Sequence, residues 1–448
     1  MMDGIEILRK LISYGTINDP TNDKIPDAKI IDYLEKLLKE WDPKVESKIF
    51  EINNYKSIYF APTLKEPVNI LFIGHLDVVP VSKGWVSNPF DLKIEDEIGY
   101  GRGTKDCKGS IVSCLLAFKS LLKEKNYLTK KLGFFFSSDE ETGGQFGAKV
   151  FFDWLKEENL SPLYVINVDG GPRVVNKRRA GFGVKIDLPS NRHKIKGRLI
   201  SKDFTTRILE DDNRHSAYFV KGCDTHAAIS LSKFLHLNRN LKVHSINGSW
   251  VKGNVIPNQI SIELIEPNEE SNDVIEYDEN LTQILTALRS IILLHVSTKI
   301  FSEFGITVNP NLISYTETNG TTVYFDVRLF LSSEEKELLI ESFRDQLGSL
   351  KSIATISCPG TSGYFYTEKA SPLVRVAENV LYTYGLVSDS CEQEGASDSR
   401  YTNGIPVIDL GPVGGNIHGS NEFINLKSLE MFSNVYKEII QRLITEEN

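Results

Sequence analysis

Several apolar runs in this 448-residue chain end in ionisable residues. The run 69–74 leads into His75-Leu76-Asp77, and the run 132–137 into Ser138-Asp139-Glu140-Glu141. The run 164–168 leads into Asp169-Gly170-Gly171, and 406–410 passes through Gly411-Pro412 towards His418. Between the first two, residues 101–109 place Asp106 just ahead of a helical stretch. Two histidines with three or four carboxylates form a nitrogen and oxygen donor set that suits a borderline cation such as Zn²⁺. Two such ions sit about 3.5–4 Å apart and need a bridging carboxylate. The chemistry that follows is hydrolysis, because water shared by two metals is acidified enough to attack an amide near neutral pH.

Spacing suggests some roles. Asp77 lies two residues past His75, so its side chain can return to hold the imidazole. Glu140 and Glu141 cannot point the same way on an extended segment. One can bind metal while the other faces the attacking water as general base. Taken singly, each residue also has an ordinary reading. His75 could be structural, the Glu140-Glu141 pair a solvated loop, and Asp106 a helix N-cap. Residues 101–109 look superficially like a phosphate loop but lack the G-x-x-x-x-G-K-[ST] spacing. The metal reading rests on the clustering of these sites at one edge of one sheet.

The elements that must position them follow from periodicity. Residues 5–14 and 28–41 have helical spacing, as do 110–122 and 146–155. Helices alternating with apolar strands predict an α/β fold with a mixed sheet covered on both faces. In such sheets, ligands sit at the carboxyl ends of the strands. The texture changes near Gly181. Strands are expected at 255–265 and 322–329, a loop into a helix at 222–237, and a helix at 332–347 behind a Ser-Ser-Glu-Glu cap signal. The acidic stretch 266–278 reads as an exposed loop. After Pro359 come a helix near 372–384, the strand 406–410 and a final helix near 426–443. The expected organisation is a catalytic domain of residues 1–180 and 360–448, interrupted by an inserted α+β domain of residues 181–359.

Bulk properties narrow the classes. The composition, 41% apolar and 25% charged, is that of an ordinary globular protein. The net charge of −9 argues against a nucleic acid or anionic membrane as partner. The N-terminus does not read as a signal peptide, and the apolar run 291–296 is too short to span a bilayer. Five irregularly spaced cysteines suggest reduced thiols and a cytoplasmic location rather than a disulfide framework.

Several motifs carry a family resemblance. They are Gly74-His75-Leu76-Asp77-Val78-Val79-Pro80, Gly101-Arg102-Gly103-Thr104-Lys105-Asp106-Cys107-Lys108-Gly109 and Ser138-Asp139-Glu140-Glu141-Thr142-Gly143-Gly144. Others are Asp169-Gly170-Gly171-Pro172, Gly395-Ala396-Ser397-Asp398-Ser399-Arg400, and Gly411-Pro412-Val413 leading to Ile417-His418-Gly419-Ser420-Asn421-Glu422. In order and spacing the chain resembles the di-zinc metallopeptidase and deacylase family that includes acetylornithine deacetylase, succinyl-diaminopimelate desuccinylase, aminoacylase and glutamate carboxypeptidase.

The resemblance implies one metal held by His75, Asp106 and Asp169, and a second held by Asp106, Glu141 and His418, with Asp106 bridging. It implies Glu140 as general base, Asp77 as the residue orienting His75, and a cis peptide after Asp106. It implies two Zn²⁺, with Co²⁺ or Mn²⁺ as substitutes, and a homodimer formed through the inserted domain. His226 resembles a lid histidine that enters the partner's active site as an oxyanion donor. Asn254 resembles a lid asparagine that approaches substrate. One departure stands out. The strand after Asn254 lacks the arginine that grips a substrate carboxylate in desuccinylase-like members. A similar strand ending in Arg328 follows only after about 55 further residues. Arg328, Thr367 and Arg400 are therefore candidate substrate contacts. The expected reaction is hydrolysis of the amide of a small N-acyl amino acid. A carboxypeptidase or dipeptidase using the same site is the alternative, and a metal-binding protein without catalysis is a third.

Overall fold

The computed structural model describes residues 2–208, 215–216, 219–220 and 222–446. The chain divides into two compact units. One comprises Met1–Arg178, Phe365–Gln393 and Ser397–Asn448, and the other Arg179–Tyr364 with Glu394–Ala396.

The first unit is built on one large sheet, with a smaller sheet of Gly414–Gly415, Phe423–Asn425, Ile98–Tyr100 and Lys93–Glu95. The strands of the large sheet run in the order Glu46–Ile52, Tyr55–Ala61, Leu132–Ser137, Ile70–His75, Tyr164–Asn167, Val407–Asp409, Val175–Arg178 and Phe365–Tyr366, with Cys391–Gln393 pairing beside Val175–Arg178. The central strands Leu132–Ser137, Ile70–His75, Tyr164–Asn167 and Val407–Asp409 are mutually parallel, and the pairings at both ends are antiparallel. Parallel central strands explain the continuous apolar runs, since both faces are buried. Ile70, Phe72, Phe134 and Phe136 face a core shared with the helices Met2–Ser13, Lys29–Trp41, Gly109–Glu124, Pro372–Thr383 and Leu426–Glu446. Their neighbours Leu71, Ile73 and Phe135 face the opposite core, against Phe151, Phe152 and Leu155 of the helix Ala148–Glu157. There Phe135 and Phe151 stack at 3.9 Å. Each such side chain contributes about 1.5–3 kcal/mol by burial. Parallelism also places the carboxyl ends of the central strands at one edge. His75 ends its own strand, Glu140 follows Ser137, and Asp169 follows Asn167.

The second unit holds two sheets of four strands each among the described residues. One runs Lys242–Gly248, Gln259–Pro267, Arg192–Thr205, Val274–Asp278. The other runs Thr307–Thr316, Gly320–Leu329, Ala180–Leu188, Thr355–Thr361. The helices Ala227–Leu237, Glu279–Ile291 and Lys336–Asp345 cover a single apolar core. The helix expected at 332–347 is shorter, but the cap signal has a physical counterpart: the Ser332 N–H donates to Glu335 at 3.2 Å. The acidic stretch 266–278 is not wholly a loop. Val274–Asp278 pairs with 192–196, because Arg192 and Lys194 on that strand neutralise Glu276. Asp278 then caps the next helix, accepting the N–H of Leu281 at 2.9 Å. No helix among the described residues is long and apolar enough to cross a membrane.

Beneath the functional edge, the buried Tyr436 hydroxyl donates to the carbonyl of Leu410 at 2.6 Å. Tyr436→Phe leaves that carbonyl unpaired and is expected to cost about 1–3 kcal/mol. Urea unfolding followed by circular dichroism reads the loss. An unchanged midpoint would show that this hydrogen bond contributes nothing.

Candidate metal centre

His75 is buried at the end of its strand. Its Nδ1 lies 3.0 Å from the carbonyl oxygen of Asp77, which can only accept, so Nδ1 carries the proton. The Nε2 lone pair then faces Oδ1 of Asp106 at 2.8 Å. Two lone pairs do not approach so closely unless a cation, a proton or a metal, lies between them. Cys107 packs behind the ring, accepting the His75 N–H at 3.1 Å and approaching its carbonyl at 3.3 Å.

Asp106 sits in the turn Thr104–Lys108 with an extended backbone (φ −121°), and its bond to Cys107 is cis. Glycines frame the turn. Gly103 has φ 87°, and a Cβ on Gly109 would lie 2.2 Å from the Thr104 carbonyl. Asp106 is not an N-cap, because the helix Gly109–Glu124 begins after Lys108 without a side-chain cap. Its carboxylate divides between two imidazoles instead. Oδ1 faces His75, and Oδ2 lies 3.0 Å from Nε2 of His418. The same nitrogen is 3.0 Å from Oε2 of Glu141. Donor atoms of His75, Asp106 and Glu141 lie within 4.8 Å of one another. This nitrogen and carboxylate set fits divalent zinc, with Asp106 offering one oxygen to each side.

Asp77 holds more than the imidazole. Its carboxylate is 3.4 Å from His75 Nδ1 and accepts the N–H groups of Glu140 at 3.2 Å and Glu141 at 3.1 Å. The Asn18 side-chain amide donates to it at 2.8 Å and to Thr142 at 3.0 Å, while the Tyr55 hydroxyl donates to Asn18. Asp77 therefore orients both the histidine and the turn bearing the two glutamates. The carboxylate of Glu140 has no hydrogen bond among the described residues. Asp169 lies just past its strand, its N–H donating to Asn167 at 3.0 Å.

The electrostatics follow from crowding. Burial, with the charges of Asp398, Asp169 and Glu141, raises the Glu140 carboxyl well above the usual range, against the pull of His75. Burial and Asp106 push Glu141 up to about 7. Partial desolvation opposes charge on the half-exposed His418, but its bonds to Asp106 and Glu141 outweigh this and raise the imidazole to about 11. Burial likewise opposes charge on Asp106, yet the two histidines hold it well below the usual carboxylate range.

The other candidates are placed as follows. Arg400 has a buried Nε without a hydrogen-bond partner among the described residues, and it feels the charges of Glu140 and Asp398. Thr367 is not brought to the cluster as a free group. Its hydroxyl donates to the Val407 carbonyl at 2.7 Å and accepts the Val407 N–H at 2.9 Å, which spends it inside the sheet. In the second unit, His226 begins the helix Ala227–Leu237, and its Nδ1 accepts the Ala228 N–H. That fixes the Nε2–H tautomer, here 3.3 Å from Asn311 Oδ1. Asn254 bonds His215 at 3.0 Å, and the buried Arg328 donates to Asp326 at 3.0 Å. Asn18, Arg102, Lys105 and Glu422 also belong to the site, through contacts that spacing along the chain does not reveal. The last three lie inside motifs already singled out, which was the available signal; Asn18 stands in no such motif.

Three comparisons bear on this geometry. The model of peptidase family M20/M25/M40 matches residues 71–442. A succinyl-diaminopimelate desuccinylase of Helicobacter pylori (strain J99) is 26% identical over 467 residues, spanning 99% of each chain. Among solved structures, aminoacylhistidine dipeptidase from Vibrio alginolyticus shares the fold with a TM-score of 0.71 at 15% identity, over 98% of this chain and 96% of that one. An M20 family metallo-carboxypeptidase from Sulfolobus solfataricus gives 0.59 at 17% identity, over 98% and 99%.

A dication must displace the protons shared among His75, His418, Asp106 and Glu141, so metal affinity should rise with pH. Competition against a chromophoric chelator at pH 6 and pH 8 should give tighter binding at pH 8. Equal affinity at both would mean that these groups do not bind the metal.

Proposed function

The chain belongs to peptidase family M20/M25/M40, and from that premise we propose that it is a metal-dependent hydrolase cleaving the amide bond of a small N-acyl amino acid. One observation carries the reading. Asp106 presents its two oxygens to two imidazoles at 2.8 and 3.0 Å, with Glu141 completing one side. His75, Asp106 and Asp169 would hold one ion, and Asp106, Glu141 and His418 the other. The donor set favours Zn²⁺, with Co²⁺ or Mn²⁺ as substitutes. When bound, such a pair polarises the carbonyl and lowers the pKa of water.

The chain's own groups do the rest. Glu140, set among like charges and with no hydrogen bond to its carboxylate among the described residues, takes the proton of the attacking water and passes it to the leaving amine. Asp77 fixes the turn that aims it. Arg400 grips the substrate carboxylate, a role supported by its unpartnered Nε. Arg328 is a weaker candidate because Asp326 already binds it. The N-acyl reading draws on the desuccinylase relative. Dipeptides and peptide C-termini are the competing substrates.

Glu140→Gln should keep its metal and lose most turnover; wild-type activity in that variant would remove it as the base. Zn²⁺- or Co²⁺-loaded enzyme is to be screened on N-succinyl and N-acetyl amino acids against dipeptides. The highest kcat/KM is expected for an N-acyl amino acid, and a dipeptide optimum would replace that substrate class.

We further propose a homodimer through the inserted unit, with His226 donating its Nε2–H to the oxyanion of the partner's substrate. Glu140→Gln and His226→Ala proteins, each inactive alone, should regain activity when mixed and allowed to exchange subunits. Each hybrid dimer would then contain one complete site. A mixture that stays inactive after demonstrated exchange would rule out the trans arrangement.

A further inference from the structure

Two buried cations flank the bridging carboxylate and reach in different directions. Arg102 is 1% exposed. Its Nη1 donates to Glu422 at 2.8 Å, and its Nη2 to the carbonyls of His418 at 3.1 Å and Gly419 at 3.0 Å. Glu422 in turn accepts the N–H groups of Gly103, Lys105 and Asp106 at 2.9, 2.8 and 3.0 Å. The Arg102–Glu422 pair thus ties the backbone bearing Asp106 to the backbone bearing His418. Lys105 turns elsewhere: its buried Nζ donates to the carbonyl of Gly170 at 2.6 Å, next to Asp169.

A buried cation beside a metal site repels the metal and is costly to desolvate. Orientation explains why two are present. His418 has φ 63°, a conformation that a residue with a side chain keeps only where its surroundings hold it. Arg102 grips that residue's own carbonyl. Asn421 anchors the same loop from the other end, accepting the Val86 N–H at 2.9 Å and donating to Gly84 at 3.1 Å.

We infer that Arg102 and Lys105 are positioning residues with separate duties: Arg102 sets the His418 half of the metal centre, and Lys105 sets the Asp169 half. The inference rests on the two-ion reading proposed above. It explains why two basic side chains, Arg102 and Lys105, precede the acidic ligand within the segment 102–106. It also predicts that the two ions can be weakened independently.

The variants are Arg102→Lys, which keeps a cation beside Glu422 but cannot span to the carbonyls, and Lys105→Met, which leaves no carboxylate unpaired. Lys105→Gln replaces the latter if Met impairs folding, judged by circular dichroism of the metal-free proteins. Each is titrated with Zn²⁺ against a chromophoric chelator, and anomalous diffraction locates the retained ion. Wild type should bind two ions. Arg102→Lys should bind the His418-side ion about 10–100-fold more weakly and keep the other, and the Lys105 variant should do the reverse. A two-ion wild type whose variants lose both ions alike, or neither, overturns the inference alone. A wild type that binds no ion overturns the metal-centre reading and this inference with it.

Discussion

Carboxylate crowding at the edge of one sheet is the constraint on which the rest of this protein depends. Asp77, Asp106, Glu140, Glu141, Asp169 and Asp398 gather near the carboxyl ends of the central strands, and half of them are buried. Like charges in such a place must be paired, hydrogen-bonded or protonated. Asp77 is met by two backbone N–H groups and Asn18, Glu422 by three N–H groups and Arg102, and Asp409 by Arg178, Ser397 and Ser399. These satisfied carboxylates form the frame. Among the described residues the Glu141 carboxylate meets only His418, and the Glu140 carboxylate meets no donor, so burial and like charges raise both. A site that binds cations and moves protons arises where the frame leaves charge uncompensated.

The sheet makes the crowding specific. Four parallel strands deliver their ends to one edge. Close approach is enforced by small residues, as at Gly109, where any Cβ would strike Thr104. The cores on the two faces hold the strands in register and so place His75, while the loop contacts of Arg102 and Glu422 join the backbone of Asp106 to that of His418.

The second unit follows a different logic. Its apolar core is self-contained, and its polar groups of interest are partnered: His226 by Asn311, Asn254 by His215, Asn311 by the Gly253 carbonyl, and Arg328 by Asp326. The Ala228 N–H selects the tautomer of His226 that can donate from Nε2. Arg328 and Asp326, two apart on one strand, share a face and pair, which accounts for an arginine being tolerated in a buried position.

By itself, the sequence determined the α/β class, the alternation of strands and helices around the site, and the residue types that gather there. Periodicity and strand-end position are local properties, so they survive in one dimension. His75, Glu140 and Glu141 are legible because they follow apolar runs closely, and Asp106 and His418 because they stand in motifs between such runs and the helices that follow. Tertiary structure alone decided which oxygen of Asp106 meets which histidine. It also decided that Asp77 serves the glutamate turn as well as the imidazole, and that the Thr367 hydroxyl is spent on Val407. It joined Arg102 to Glu422 across 320 positions. Such pairings depend on where the sheet brings distant loops, and no spacing along the chain encodes them.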